Sequence, residues 1–235
     1  YGLNIPTTRA LAIITSDEPV YRETVETASI VLRVSKSWVR FGTFEYFYQS
    51  QDKQSLSQLA DFVIAENYPH LKEVENKYEK LYFEIVDKTA YLMAMWQAYG
   101  FMHGVMNTDN MSVAGFTIDY GPYAFMDNFD VNNICNHTDH EGRYSYANQP
   151  KVAQWNLDSL AVCFSALCDE KKLVEYLDSF LHMQDNEYLK IMQKKLGLSY
   201  ELSSDSNRDL VTSLIGTLNT VKLDYTLFFN QLSNF

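Results

Sequence analysis

Two short β-branched runs near the start of the chain, Leu11–Thr15 (LAIIT) and Ser29–Val34 (SIVLRV), are bounded by turn or charged residues and predict strands. Ser55 with Gln58 three residues on has the form of a capping box, and Leu56, Leu59, Ala60 and Val63 follow at helical spacing. Lys72–Lys80 (KEVENKYEK) is charged and reads as a solvated helix face. The segment Val86–Phe101 is different. Ala90 to Trp96 are apolar at every position, so a helix here has no broad wet face and is expected to be central and buried. It ends near Gly100 and runs into a polar loop, His103–Ser112. Val113–Ile118 then predicts a strand, halted by Asp119-Tyr120-Gly121-Pro122. Met126–Pro150 is rich in Asn, Asp, His and Tyr, and it is too long for a mere connection, which points to a functional loop or lid. From Trp155 the period is helical, with Leu157, Leu160, Ala161, Phe164, Leu167 and Cys168 on one stripe. Further helices are predicted at about 171–184, 187–195, 207–217 and 222–233. A few strands followed by helices predict an α+β fold with a helical C-terminal part and no clear domain boundary.

Composition narrows the classes. The chain has 235 residues, 46% hydrophobic and 21% charged, which is too apolar for disorder and long enough to bury a core. The balance of 19 basic against 30 acidic residues, net −11, supplies no basic stripe for phosphate neutralisation and argues against a sequence-independent nucleic-acid binder. No apolar run approaches the roughly 18 residues of a membrane span, and no signal-peptide pattern opens the chain. Cys135, Cys163 and Cys168 imply no disulfide framework, so a reducing compartment is the default. The opening at Tyr1 reads as a fragment.

Candidate chemistry lies between His103 and Gly121. Asn107, Asp109 and Asn110 follow a buried helix, and Asp119 comes ten residues after Asp109 in Asp-Tyr-Gly. Mg²⁺ takes oxygen ligands and commonly only one or two protein groups, a task that suits the Asn110 carboxamide and the Asp119 carboxylate. Asp109 would remain to accept a proton from a hydroxyl nucleophile. That order of helix, loop with His and Asn, then Asp-x-Gly follows kinase logic. Small-molecule kinases of the His-Gly-Asp type carry their base directly after the Gly. Here that place holds Val105, so the base has moved or been lost, and Asp109 is the nearby replacement. Asn and Asp are also common turn residues, which is the plainer reading of each taken singly. His103 is expected to orient backbone rather than react.

Arg33 and Arg40, in LRVSKSWVRFG, suit the oxygens of a triphosphate, but either could equally pair with a carboxylate such as Glu45. Cys163 and Cys168 sit on the apolar stripe and read as core. Cys135, His137 and His140 have a spacing that closes no zinc site without a fourth ligand. There is no Gly-x-Ser-x-Gly elbow for a hydrolase and no G-x-G phosphate loop.

The strings HGVMNTDNMSVAGFTIDYGPYAFMD, ICNHTDHEGRYSYANQP and WNLDSLA resemble the selenoprotein O family, as do IPTTRAL (Ile5–Leu11) and VLRVSKSWVRFGTFEYF (Val31–Phe47). Dense matches run from about residue 5 to 161. The resemblance implies a protein-kinase-like fold that transfers AMP, not phosphate, from ATP to protein hydroxyls, with the nucleotide inverted relative to kinases. It places Asp109 as catalytic base, Asn110 and Asp119 as Mg²⁺ ligands, Asp119 also as a nucleotide contact, and Arg33 and Arg40 on the phosphates. The family's Gly-rich segment, phosphate-binding Lys and helix Glu lie N-terminal to IPTTRAL, so the chain alone is expected to bind ATP weakly and show little activity. Trp38 stands where the family pattern is smaller or polar. Cys135 matches an activation-segment cysteine that the family can pair with a C-terminal Cys or selenocysteine, and neither Cys163 nor Cys168 lies in such a tail.

The expectation is therefore one kinase-like domain: about 1–50 as the end of the N-lobe and its connection, and about 51–235 as a helical C-lobe with catalytic loop and activation segment. The expected function is a Mg²⁺-dependent protein adenylyltransferase (Mn²⁺ as the alternative ion) using ATP and protein substrates bearing Ser, Thr or Tyr hydroxyls. Its rivals are a non-catalytic ATP-binding pseudokinase module and an ordinary phosphotransferase. No nucleic-acid or membrane partner is expected. The bacterial cytoplasm is the expected setting, or the mitochondrion for a eukaryotic source, since the family includes both.

Overall fold

A computed structural model describes residues 1–21, 24–198 and 204–232. The chain is α+β and mostly helical, and its longest helix is the predicted apolar one. Helix α3 (Lys77–Tyr99) buries Ala90, Leu92, Met93, Ala94, Met95 and Trp96, while Tyr91 alone in that run faces out. Helices α4 (Gln149–Phe164), α5 (Glu170–Leu177) and α6 (Phe180–Lys195) pack around it. Gly100 ends α3 in the left-handed region at φ +66°, which costs a residue with a Cβ energy and glycine none.

Before α3 come α1 (Phe41–Gln49) and α2 (Lys53–Asn67). The capping-box reading places the start of α2 too late. Asp52 is the N-cap, accepting the Ser55 N–H at 2.9 Å, so Ser55 already lies inside the first turn. The apolar face is as expected, with Leu56, Ala60 and Val63 buried and Leu59 packed against the core. The charged stretch Lys72–Lys80 is helical only from Lys77. Asn76 turns the chain at φ 57°, and Glu79 is buried against Lys172 at 3.0 Å, so the stretch is not one wet helical face.

Helix α4 begins ahead of Trp155 and buries Leu157, Leu160, Ala161 and Phe164. Leu167 and Cys168 lie past its end and still pack on the core. The two helices expected over about 171–195 divide earlier than the pattern suggests, at Asp178–Ser179. There the Ser179 hydroxyl donates to the Tyr176 carbonyl at 2.7 Å, a local bond that competes with the helical ladder. Helices α7 (Ser204–Val221) and α8 (Tyr225–Leu232) follow. Tyr225 anchors α8 by donating to the Ala98 carbonyl at 3.0 Å, beside a small cluster of Met102, Met126, Phe129, Tyr146 and Leu218.

Strands β1 (Arg9–Tyr21) and β2 (Val25–Val34) form an antiparallel ribbon longer than the apolar runs suggest, with Ile14 opposite Ile30. The strand expected at Val113–Ile118 is not formed. Gly115 turns at φ +72°, and only Ser112 and Thr117 make single bridges, to Arg40 and Thr7. The pairing after α3 is instead a minimal ladder between β3 (Phe101–Met102) and β4 (Ala124–Phe125). The long segment to Pro150 has little regular structure and is tied by side chains. Asp139 accepts the N–H groups of Arg143 at 2.9 Å and Tyr144 at 2.7 Å, for example. Among the described residues no helix is long and apolar enough to cross a membrane.

Candidate active site

Two backbone seams assemble the site from distant sequence. In the first, Phe41 N–H donates to Met111 O at 3.0 Å and Val113 N–H to Val39 O at 3.3 Å, laying the start of α1 along the end of the polar loop. In the second, Thr8 N–H donates to Thr117 O at 3.2 Å and Thr117 N–H to Pro6 O at 2.9 Å, tying the entry of β1 to the residues ahead of Asp119. Helix α3 and its Gly100 turn deliver the loop. The seams bring the two arginines to it.

Arg40 donates from its guanidinium to the Asp109 carbonyl at 2.8 Å. Asp109 lies in a 3-10 turn, Thr108–Asn110, and is exposed. The same turn is pinned to α1 a second time, where Thr108 Oγ1 donates to Glu45 Oε2 at 2.5 Å. Asn110 Nδ2 donates to the Val105 carbonyl at 2.9 Å, which fixes the carboxamide and turns its oxygen away from that carbonyl. Arg33 donates to the Ile118 carbonyl and lies over the rings of Trp38, at 5.3 Å, and Tyr120, at 5.9 Å. Trp38 thus packs on Arg33. Arg33, Asp119 and Tyr120 line one cavity of about 940 Å³, whose walls include Thr7, Leu11 and Val31.

The candidate residues therefore fall into two groups. Arg33 and Asp119 share the cavity, while Arg40, Asp109 and Asn110 share the turn. Pairing with Glu45 is not what occupies the arginines. Glu45 is taken by Thr108, and among the described residues neither arginine forms an ion pair. Asn110 and Asp119 offer only hard oxygen donors. Among the described residues there is no cluster of three His, Cys, Asp or Glu side chains that could hold a metal ion. Such a donor set fits an ion that takes one or two protein oxygens and completes its shell with phosphate and water, as Mg²⁺ does. Cys135, His137 and His140 form no such cluster either.

His103 is fully buried and stacks on Trp96, with ring centroids 5.3 Å apart. Burial pushes its pKa down to about 4, against the pull of the Asp119 charge, so the ring is neutral near pH 7 and cannot serve as a charged group. Its backbone N–H is held by Gln149 Oε1 at 2.9 Å. Burial raises the Cys135 thiol, which donates to the Met102 carbonyl at 3.7 Å. Cys163 and Cys168 are pushed up to about 12 and about 11 by burial, as expected of core thiols.

Sequence reasoning passed over Gln149 and Asn156, which support the loop from α4. Gln149 also donates to the Phe101 carbonyl at 2.9 Å, and Asn156 donates to the Met106 carbonyl at 2.8 Å. The available signal was their polarity on the buried side of an apolar helix: both are 0% exposed.

The whole chain, residues 1–235, matches the family model described as Protein adenylyltransferase SelO. It is 47% identical over 232 residues to a protein nucleotidyltransferase YdiU of Pseudomonas entomophila (strain L48), covering 99% of this chain and 47% of that protein. It is 46% identical over 233 residues to the protein of the same name from Ectopseudomonas mendocina (strain ymp), again 99% and 47% of the two chains. A third relative, from Pseudomonas fluorescens (strain SBW25), is 45% identical over 234 residues, 100% of this chain and 48% of the relative. The chain belongs to the SelO family, as its motifs indicate, and spans about half the length of these relatives.

Proposed function

We propose that the protein transfers AMP from ATP to Ser, Thr or Tyr hydroxyls of other proteins, on a kinase-like frame. In that frame residues up to about 50 close the N-lobe and the rest form the helical C-lobe. The observation that carries the reading is the make-up of the two groups. Arg33 and Asp119 open onto a cavity of nucleotide-accommodating size, while Arg40 fastens the turn bearing Asp109 and Asn110. Membership of the family described as Protein adenylyltransferase SelO and the likeness to protein nucleotidyltransferases support the reading.

In this reaction the exposed Asp109 carboxylate takes the proton of the incoming hydroxyl, whose oxygen bonds to the α-phosphorus as the bond from that phosphorus to the bridging oxygen breaks. Pyrophosphate leaves with the electron pair. Arg33 meets the phosphates from the cavity wall, and Arg40 holds the catalytic turn against α1 while presenting positive charge near it. Asn110 and Asp119 would hold Mg²⁺, which neutralises charge gathering on the phosphate oxygens. His103, neutral and buried, supports the loop and takes no part in the proton transfer.

Full-length protein supplied with ATP labelled separately at the α and γ positions tests the reading. Transfer of α label to protein, with pyrophosphate release, is expected. Transfer of γ label alone would assign an ordinary phosphotransferase instead. One observation favours a non-catalytic ATP-binding module, namely Val105 in place of the usual base. Asp109→Ala separates that reading, because a binding module would keep every activity while a transferase loses at least about 100-fold in kcat. The bacterial relatives favour a bacterial cytoplasm as its setting.

A further inference from the structure

Gly42 occupies the first turn of α1, and its backbone gives no reason for a glycine. It is not among the positive-φ glycines, which are Gly100, Gly104, Gly115, Gly142 and Gly197. Its surroundings give one. A Cβ added at Gly42 would overlap Asp109 Oδ1 and lie 3.0 Å from Asp109 Cγ, yet stand at an ordinary 3.5 Å from Asp109 Cα. The backbone of the turn would tolerate the methyl group, and the carboxylate would not. The turn has little freedom to retreat either. It is held to α1 by Arg40 on the Asp109 carbonyl at 2.8 Å, by Thr108 on Glu45 at 2.5 Å and by Phe41 N–H on Met111 O at 3.0 Å. A methyl group here must therefore be absorbed by rotation of the Asp109 side chain.

We propose that Gly42 is a positioning residue for AMP transfer. The missing side chain leaves free the space that the Asp109 carboxylate occupies in the orientation from which it receives the hydroxyl proton. This rests on the reading of Asp109 as the base. The alignment of that carboxylate is a property of two residues far apart in sequence, one of which has no functional group at all.

The test is a double-mutant cycle in full-length protein, with Gly42→Ala, Asp109→Asn and the combined variant. AMP transfer to protein, the KM for ATP and the melting temperature are measured for each. Gly42→Ala is expected to keep its melting temperature, because alanine suits a helix better than glycine, and to keep its ATP KM within about threefold. Its kcat is expected to fall on the order of 100-fold, the scale of an ångström-sized misplacement of a reacting group. In the Asp109→Asn background the same change should cost nothing further, since no base remains to be misplaced. Full kcat in Gly42→Ala beside an inactive Asp109→Asn overturns the positioning role alone. Losses that multiply in the combined variant overturn it too, because Gly42 would then act through something other than Asp109. Activity that survives Asp109→Asn removes the base assignment and this inference with it.

Discussion

The His103 ring lies against the Trp96 indole, out of reach of water, and its titration should be visible in stability. Unfolded histidine titrates near 6.5, and the folded ring at about 4. Above pH 6.5 both states are neutral and the group contributes nothing to the pH dependence. As the pH falls from there toward 4 the unfolded chain takes up a proton that the folded chain refuses, so stability is lost, by roughly 3 kcal/mol in all. His103→Phe keeps a ring against Trp96 and removes the titration. Its melting temperature should fall less steeply than wild type between pH 6.5 and 4, and parallel curves would show that the ring does not titrate as described. The same scale shows what a residue's type reveals. Asp109 and Asn110 could be singled out because carboxylates and carboxamides have chemistry of their own. Gln149 and Asn156 gave only the weaker signal of polar residues in an apolar helical stripe, because their role lies in the carbonyls that stand opposite them.

At the scale of elements, α3 was legible because seven consecutive apolar residues admit no wet face, and its end was legible because Gly100 permits the left-handed turn. Gly100→Ala should cost about 1–2 kcal/mol for that backbone conformation alone. Its Cβ would also crowd the Tyr225 ring at 3.0 Å, so a cost above the backbone figure is expected in chemical denaturation. An undiminished midpoint would mean that the turn relaxes freely. The misread elements have separate causes. Val113–Ile118 carries strand-forming residues but finds no neighbouring strand to pair along its length, so it makes isolated bridges around the Gly115 turn. At α2, Asp52 and Ser55 are both good cap residues. The structure uses the first, which lets the helix start one turn sooner.

Across the whole molecule, the β1–β2 ribbon stands out because apolar residues remain exposed on both of its faces. Leu11, Ile13, Ile14, Ile30 and Leu32 are each more than half exposed, the last at 51%. Such a surface should bind an apolar dye. Replacing the opposed pair Ile14 and Ile30 by Thr should lower 1-anilinonaphthalene-8-sulfonate fluorescence of this chain while shifting its unfolding free energy by no more than about 0.5 kcal/mol per site. Unchanged fluorescence would place the dye-binding surface elsewhere.

The amino-acid sequence by itself determined the α+β character, the buried central helix, the apolar stripe of α4 and the family, because periodicity and long motif strings are properties of the chain read in order. Tertiary structure alone decided that Arg40 grips the Asp109 carbonyl, that Arg33 shares a cavity with Asp119, and that Glu45 serves Thr108 rather than an arginine. Each of those contacts joins segments dozens of residues apart through a backbone carbonyl, a cavity wall or a competing partner. A linear pattern carries the chemistry of a side chain but not the identity of the atom it meets.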